Sequence, residues 1–122
     1  MNLKEAVDLF LQAYYANNVV DRAPQMSDMF LAPNHPLRIG RLPKSSFYCG
    51  ITNNLQRRMN EHNSDALEWV ESKTVDDAIA LESELGKLGF DIGEKPGNGA
   101  SDDSVFVYIY KKEKGITKEH IQ

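Results

Sequence analysis

Apolar positions along this chain change period several times, and each change predicts an element. In residues 2–16, Leu3, Val7, Phe10, Leu11 and Tyr14 fall on one broad helical face, and Asn17, Asn18 and then Asp21 to Pro24 mark release into a loop. Met29 to Ala32 reads as a short strand. Leu37 to Arg41 can pair or loop, and Pro33, Pro36 and Pro43 constrain the whole region. Ser46 to Ile51 predicts a strand, followed by a helix from Leu55 to Glu61 that Thr52 or Asn53 can cap. Leu67 to Glu71 predicts another short strand.

The best-marked element is a helix from Val75 to Leu88. Thr74 stands at its N-cap, Ala78, Leu81, Leu85 and Leu88 form its apolar stripe, and Gly89 suits a left-handed terminus. Gly86 inside it costs about 1 kcal/mol relative to alanine, which points to close packing there. A turn region, EKPGNGASDDS, leads into Val105 to Tyr110, apolar at every position and predicted to be a strand covered on both faces or placed centrally. The tail KKEKGITKEHIQ is mostly polar and either frays or adds a short final turn.

One residue breaks the pattern. Glu82 lies four residues after Ala78 and three before Leu85, so it points to the apolar side of its helix. An unpaired carboxylate is costly there, so it needs a cation, hydrogen-bond donors or a wet pocket. A salt bridge to Arg57 or Arg58 is the structural explanation, and a role in a site is the functional one.

Length and composition narrow the classes. The 122 residues suit one domain. The single cysteine excludes an internal disulfide and a multi-cysteine zinc site. No apolar run approaches the roughly 20 residues that span a bilayer. The opening MNLKEAVDLFLQAYY lacks a secretory pattern, so an intracellular, cytoplasmic protein is the expectation. The net charge is -4, a poor match to nucleic acid, but its distribution is uneven. Residues 31–60 hold Arg38, Arg41, Lys44, Arg57 and Arg58 with no Asp or Glu, which leaves nine basic and eighteen acidic residues elsewhere. Such a positive stretch can neutralise phosphates, or it can pair with acids from other segments.

The segment Tyr48 to His62, YCGITNNLQRRMNEH, resembles the second half of the GIY-YIG nuclease signature. Tyr48-Cys49-Gly50 stands in the YIG place, Asn54-Leu55 leads into the helix, and Arg58 and His62 follow in the family's order. Glu82, on the next helix, fits the family's metal-binding glutamate, which favours the site reading of its odd orientation. The resemblance covers about residues 28–110. It implies an α/β (α+β) fold, with a central, mainly antiparallel sheet of three or more short strands flanked by helices. Residues 1–24 would be an N-terminal helix and loop packing on the domain, 25–112 the nuclease-like domain, and 113–122 a polar tail.

The chain departs from the family in its first motif. No Gly-Ile-Tyr precedes Tyr48. Either Met29 to Leu31 or Leu37 to Gly40 can fill the first strand, and both alignments lose its phenolic hydroxyl. Cys49 should face away from Tyr48 and Gly50 and pack in the core.

The resemblance implies a divalent-metal-dependent endonuclease that hydrolyses DNA phosphodiester bonds. Glu82 would hold one Mg2+ or Mn2+ with waters completing the shell. Arg58 would grip the scissile phosphate through its guanidinium fork. Tyr48 would position the attacking water, and a nearby cation would have to help if it served as a base. His62 would orient Tyr48, relay a proton or contact phosphate, and it is also plausible as a plain structural residue. Arg38, Arg41, Lys44 and Arg57 are candidates for backbone contact with DNA, and Asn98 for the family's late, site-proximal asparagine. Gly50 is a structural glycine where a side chain would block close approach. Trp69, Phe106, Tyr108 and Tyr110 read first as packing residues. The alternative to cleavage is a weakened nucleic-acid-binding module, or a protein-interaction regulator on the same scaffold. A protein partner or a homodimer can supply specificity that so short a chain lacks.

Overall fold

The computed structural model describes residues 1–21, 39–93, 97 and 100–119. Helix α1 (Leu3–Asn17) starts at a capping box. Asn2 Oδ1 accepts from the Glu5 N–H at 2.8 Å, and Glu5 Oε1 accepts from the Asn2 N–H at 3.1 Å. The helix buries Ala6, Phe10 and Tyr14, spaced by four residues, with Val7 and Leu11 packed beside them, whereas Leu3 stays exposed.

Two short strands then pair antiparallel, β1 (Val19–Asp21) with β2 (Ile39–Arg41). Three residues following Asn-Asn carry too little pattern to separate a strand from a loop, and β1 was not predicted. The predicted strand Met29 to Ala32 lies outside the described residues. A single-turn 3-10 helix (Lys44–Ser46) leads into β3 (Phe47–Thr52).

Helix α2 (Leu55–His62) is capped by Asn54, not by Thr52 or Asn53 as the sequence suggested. The Asn54 side chain accepts from the Arg57 N–H at 3.0 Å, while Thr52 Oγ1 accepts from the Asn54 N–H at 3.1 Å and turns the chain before the helix. Asn63, with φ 56°, ends it. Strand β4 (Glu68–Glu71) and helix α3 (Val75–Lys87) follow. Thr74 caps α3 as predicted, accepting from the Asp77 N–H at 3.1 Å, and Gly89 takes the left-handed turn at φ 111°. Leu88 leaves the predicted stripe because it stands at the C-cap, where it is exposed. Gly86 is where the returning chain packs: a Cβ there would meet Ile92 Cδ1 at 2.5 Å.

Strand β5 (Phe106–Lys111) lies between the other two in a three-stranded antiparallel sheet of order β3-β5-β4. It is the central strand that its apolar sequence predicted. The register sets Tyr48 opposite Tyr110, Gly50 opposite Tyr108 and Trp69 opposite Tyr108. Alternation therefore sorts the sheet into two faces. Phe47, Cys49, Val107 and Ile109 join α1 and α3 in the larger core. Tyr108 and Tyr110 pack with Met59 of α2 in a second one, with Tyr48, Leu55 and Ala66 at its margin. The fold is thus a small α+β domain with helices on both sides of its sheet.

Helix α1 closes the larger core. Phe10 is fully buried, so Phe10→Ala is expected to lower unfolding free energy by about 3–5 kcal/mol. Denaturant unfolding would measure this, and a loss below about 1 kcal/mol would show that α1 is not an integral layer.

Candidate functional site

Tyr48 sits on the edge strand of the sheet, half-buried, on the face covered by α2. Its outer edge is closed by the chain returning from α3. Cys49 N–H donates to the Asp91 carbonyl at 2.8 Å and Asp91 N–H to the Phe47 carbonyl at 3.0 Å, a one-residue parallel bridge. This return places Asp91 beside Tyr48, and a Cβ on Gly93 would lie 3.7 Å from the Tyr48 hydroxyl. Lys112 holds Asp91 in an ion pair of 2.9 Å.

Burial pushes the Tyr48 phenol above its ordinary range. The negative charges of Glu82 and Asp91 push it the same way, and Arg58 opposes them. Residues from β3, α2, α3 and the return segment are therefore within electrostatic reach of one phenol. The site in this state favours a neutral hydroxyl.

Glu82 is buried on the core side of α3, as its position in the stripe requires. Its partner is neither Arg57 nor Arg58. The carboxylate accepts from the Gly97 N–H at 2.7 Å, and both arginines pair with Glu61 instead, at 3.3 and 3.2 Å. Burial raises the carboxyl from 4.5 to about 7, with the Gly97 hydrogen bond working against the rise. Among the described residues no group of three or more His, Cys, Asp or Glu is arranged to hold a metal. The donor set fits only a hard ion that takes one protein carboxylate and fills its remaining positions with water.

Arg58 is about a third exposed, and its contact with Glu61 is the kind of surface pair worth 0–1 kcal/mol. Exchange of that partner for a phosphate costs little. His62 is more constrained. It is 2% exposed, with Nε2 2.8 Å from the Tyr108 hydroxyl, and Nδ1 3.1 Å from the Tyr110 hydroxyl and in contact with the Lys118 carbonyl. A ring so enclosed cannot reach a phosphate. Its centroid lies 5.3 Å from that of Tyr48.

At Gly50 a Cβ would meet Tyr108 Oη at 2.5 Å and Tyr48 Cε1 at 3.1 Å, so the close approach there is that of a strand phenol. Cys49 is fully buried on the opposite face, and burial raises its thiol. The wider basic set disperses. Arg57 is exposed and bonded to Asn53 and Glu61, while Arg41 is exposed at the end of β2. The Lys44 ammonium lies 5.2 Å from the ring centroid of Tyr14, on the α1 side of the sheet away from Tyr48. Arg38 and Asn98 lie outside the described residues.

Tyr108 and Tyr110, read from the sequence as packing residues, and Asp91 and Lys118, which nothing in the sequence marked, also reach the site. The signal for the two tyrosines was their spacing of two, which puts both phenols on one face of β5. Asp91 and Lys118 reach the site through backbone contacts that carry no sequence signature. Of the two stretches offered for the first strand, Met29 to Leu31 lies outside the described residues. Ile39–Arg41 pairs with β1 in a separate sheet, and the neighbour of the Tyr48 strand is β5, from the far end of the chain.

The family model described as "GIY-YIG catalytic domain" matches residues 41–83, about a third of the chain. The match contains Tyr48, Arg58, His62 and Glu82 and stops short of β5. No curated protein and no solved structure gave a match to the chain. Among the described residues no helix is long and apolar enough to cross a membrane.

The buried carboxylate has a consequence for stability. A carboxyl raised from 4.5 to about 7 binds its proton more tightly in the folded state, so the stability tied to the neutral form is fully present below pH 4.5 and is lost as pH rises through 7. In metal-free buffer, Glu82→Gln should gain on the wild type between pH 5 and 8, by a difference approaching about 3 kcal/mol. Paired thermal melts across that range test this, and a difference that does not change with pH would count against it.

Proposed function

We propose that this protein is a divalent-metal-dependent endonuclease that hydrolyses DNA phosphodiester bonds. The observation that carries the proposal is that Arg58 and the buried carboxylate of Glu82, which has no cationic partner among the described residues, both act on the Tyr48 phenol, all three inside the one matched GIY-YIG stretch. Glu82 would hold one Mg2+ or Mn2+ through its carboxylate. Once bound, the ion supplies stabilisation of charge on the phosphate and the leaving oxygen. Arg58 would exchange Glu61 for the scissile phosphate, and its planar fork matches two phosphate oxygens.

Tyr48 would hold the attacking water at its hydroxyl. Neutral in the unliganded site, it serves as a positioning donor or acceptor, and it serves as a base only where added positive charge offsets Glu82 and Asp91. Arg57 and Arg41 remain candidates for sequence-independent contact with the DNA backbone. Lys44, stacked on Tyr14, is the weakest of that group.

A second reading has its own support in the raised Tyr48 phenol and in the lack of a multi-residue metal cluster among the described residues. It is a module that binds nucleic acid through Arg58 and cleaves poorly.

The deciding experiment incubates supercoiled, linear, branched and single-stranded DNA with wild-type protein, Glu82→Ala and Arg58→Ala in Mg2+ or Mn2+. Metal-dependent cutting abolished in both variants is the expected result. Well-folded wild type that binds DNA without cutting would favour the weakened module, and cutting retained by both variants would defeat the site assignment. Because the ion needs an ionised carboxylate, its apparent affinity should weaken by up to about tenfold per pH unit below 7. Metal titrations at pH 6, 7 and 8 would show this, and an affinity independent of pH would remove Glu82 as the ligand.

A further inference from the structure

Strand β5 and the segment after it meet His62 from more than one side. Tyr108 and Tyr110 approach from the strand, and the Lys118 carbonyl from the segment beyond it. That segment is pinned in place: Lys118 N–H donates to the His62 carbonyl at 2.8 Å, and Asn63 Nδ2 donates to the Ile116 carbonyl at 2.9 Å. The polar stretch expected to fray or to add a short final turn is thus tied to the end of α2 through residue 118.

These partners fix the tautomer. A carbonyl oxygen only accepts, so Nδ1 carries the ring proton. Nε2 then presents a lone pair, and the Tyr108 hydroxyl must donate to it. With its hydrogen committed to His62, the Tyr108 oxygen sits over the space left open by Gly50, beside the Tyr48 ring. Tyr108 and His62 are each 2% exposed, so neither touches a substrate. Both instead back the half-buried ring of Tyr48, with centroids 6.4 and 5.3 Å away.

We propose that Tyr108 is a positioning residue of this site: it locks His62, which the Lys118 carbonyl holds from the other side, and the locked pair fixes the Tyr48 ring. The proposal rests on the reading of Tyr48 as the group beside the attacked phosphate, but its structural part can be measured without DNA.

The test is NMR on the full chain carrying 15N-histidine and 13Cζ-tyrosine, free of metal and DNA. The wild type should show His62 as a single Nδ1–H tautomer. In Tyr108→Phe, which keeps the ring, His62 should populate both tautomers and the Tyr48 titration should move. Tyr110→Phe, which leaves the Lys118 carbonyl and Tyr108 in place, should keep the wild-type tautomer. In the cleavage assay Tyr108→Phe should lower kcat by about tenfold or more with KM little changed, a loss of about 1.4 kcal/mol in transition-state stabilisation. A wild-type His62 in the Nε2–H form would overturn the proposal even if the variants fail to fold. So would an unmoved Tyr48 titration in a folded Tyr108→Phe protein. Wild type that shows the tautomer and the coupling but cuts no DNA would support the positioning and defeat the cleavage reading instead.

Discussion

The pairing of β3 with β5 is the constraint on which the site depends. Because side chains alternate along a strand, one register decides both the core and the chemistry. With Tyr48 opposite Tyr110 and Gly50 opposite Tyr108, the phenols of two sequence-distant segments share a face with α2. Cys49, Val107 and Ile109 are then delivered to the layer of α1 and α3. A slip of one residue would put hydroxyls into that apolar layer and turn its aliphatic side chains toward His62. The hydrophobic effect that selects the register therefore also sets the order of donors around His62.

Gly50 and Gly86 show how little space this leaves. At each position a single Cβ would come within 2.5 Å of a neighbouring side-chain atom, the Tyr108 hydroxyl in one case and Ile92 in the other. The first contact lets a phenol lie across the strand that bears Tyr48. The second lets the chain returning from α3 close on that helix and run on to bring Asp91 to the edge of β3. Both are sites where backbone approach, not conformational freedom, explains the glycine.

Glu82 runs against this economy. Its charged form is disfavoured by burial, and its bond to the Gly97 N–H offsets only part of the cost. A scaffold selected only for stability would place an apolar residue there, or a paired carboxylate. The nearby Asp91 differs in having a lysine partner. A buried carboxylate within electrostatic reach of a phenol, with no cationic partner among the described residues, is the arrangement expected of a position that awaits positive charge. That is the physical basis for the functional reading advanced above.

Much of this was legible along the chain. Periodicity located the three helices because each buries one stripe, short apolar runs located the strands β3, β4 and β5, and Glu82 stood out because a carboxylate interrupted a helical stripe. The order Tyr48, Gly50, Asn54, Arg58, His62 was local to one strand and helix, so its spacing alone suggested the family. The sequence could not decide which strand lies beside Tyr48, since hydrogen-bond pairing between distant segments leaves no local pattern. For the same reason Tyr108 and Tyr110 read as packing, the Lys118 carbonyl was invisible because every residue has one, and the Gly97 N–H that meets Glu82 carried no signal. Local residue identity determined which groups are available for chemistry; only the tertiary structure decided which of them meet, because long-range register and burial are settled by the packing of the whole chain.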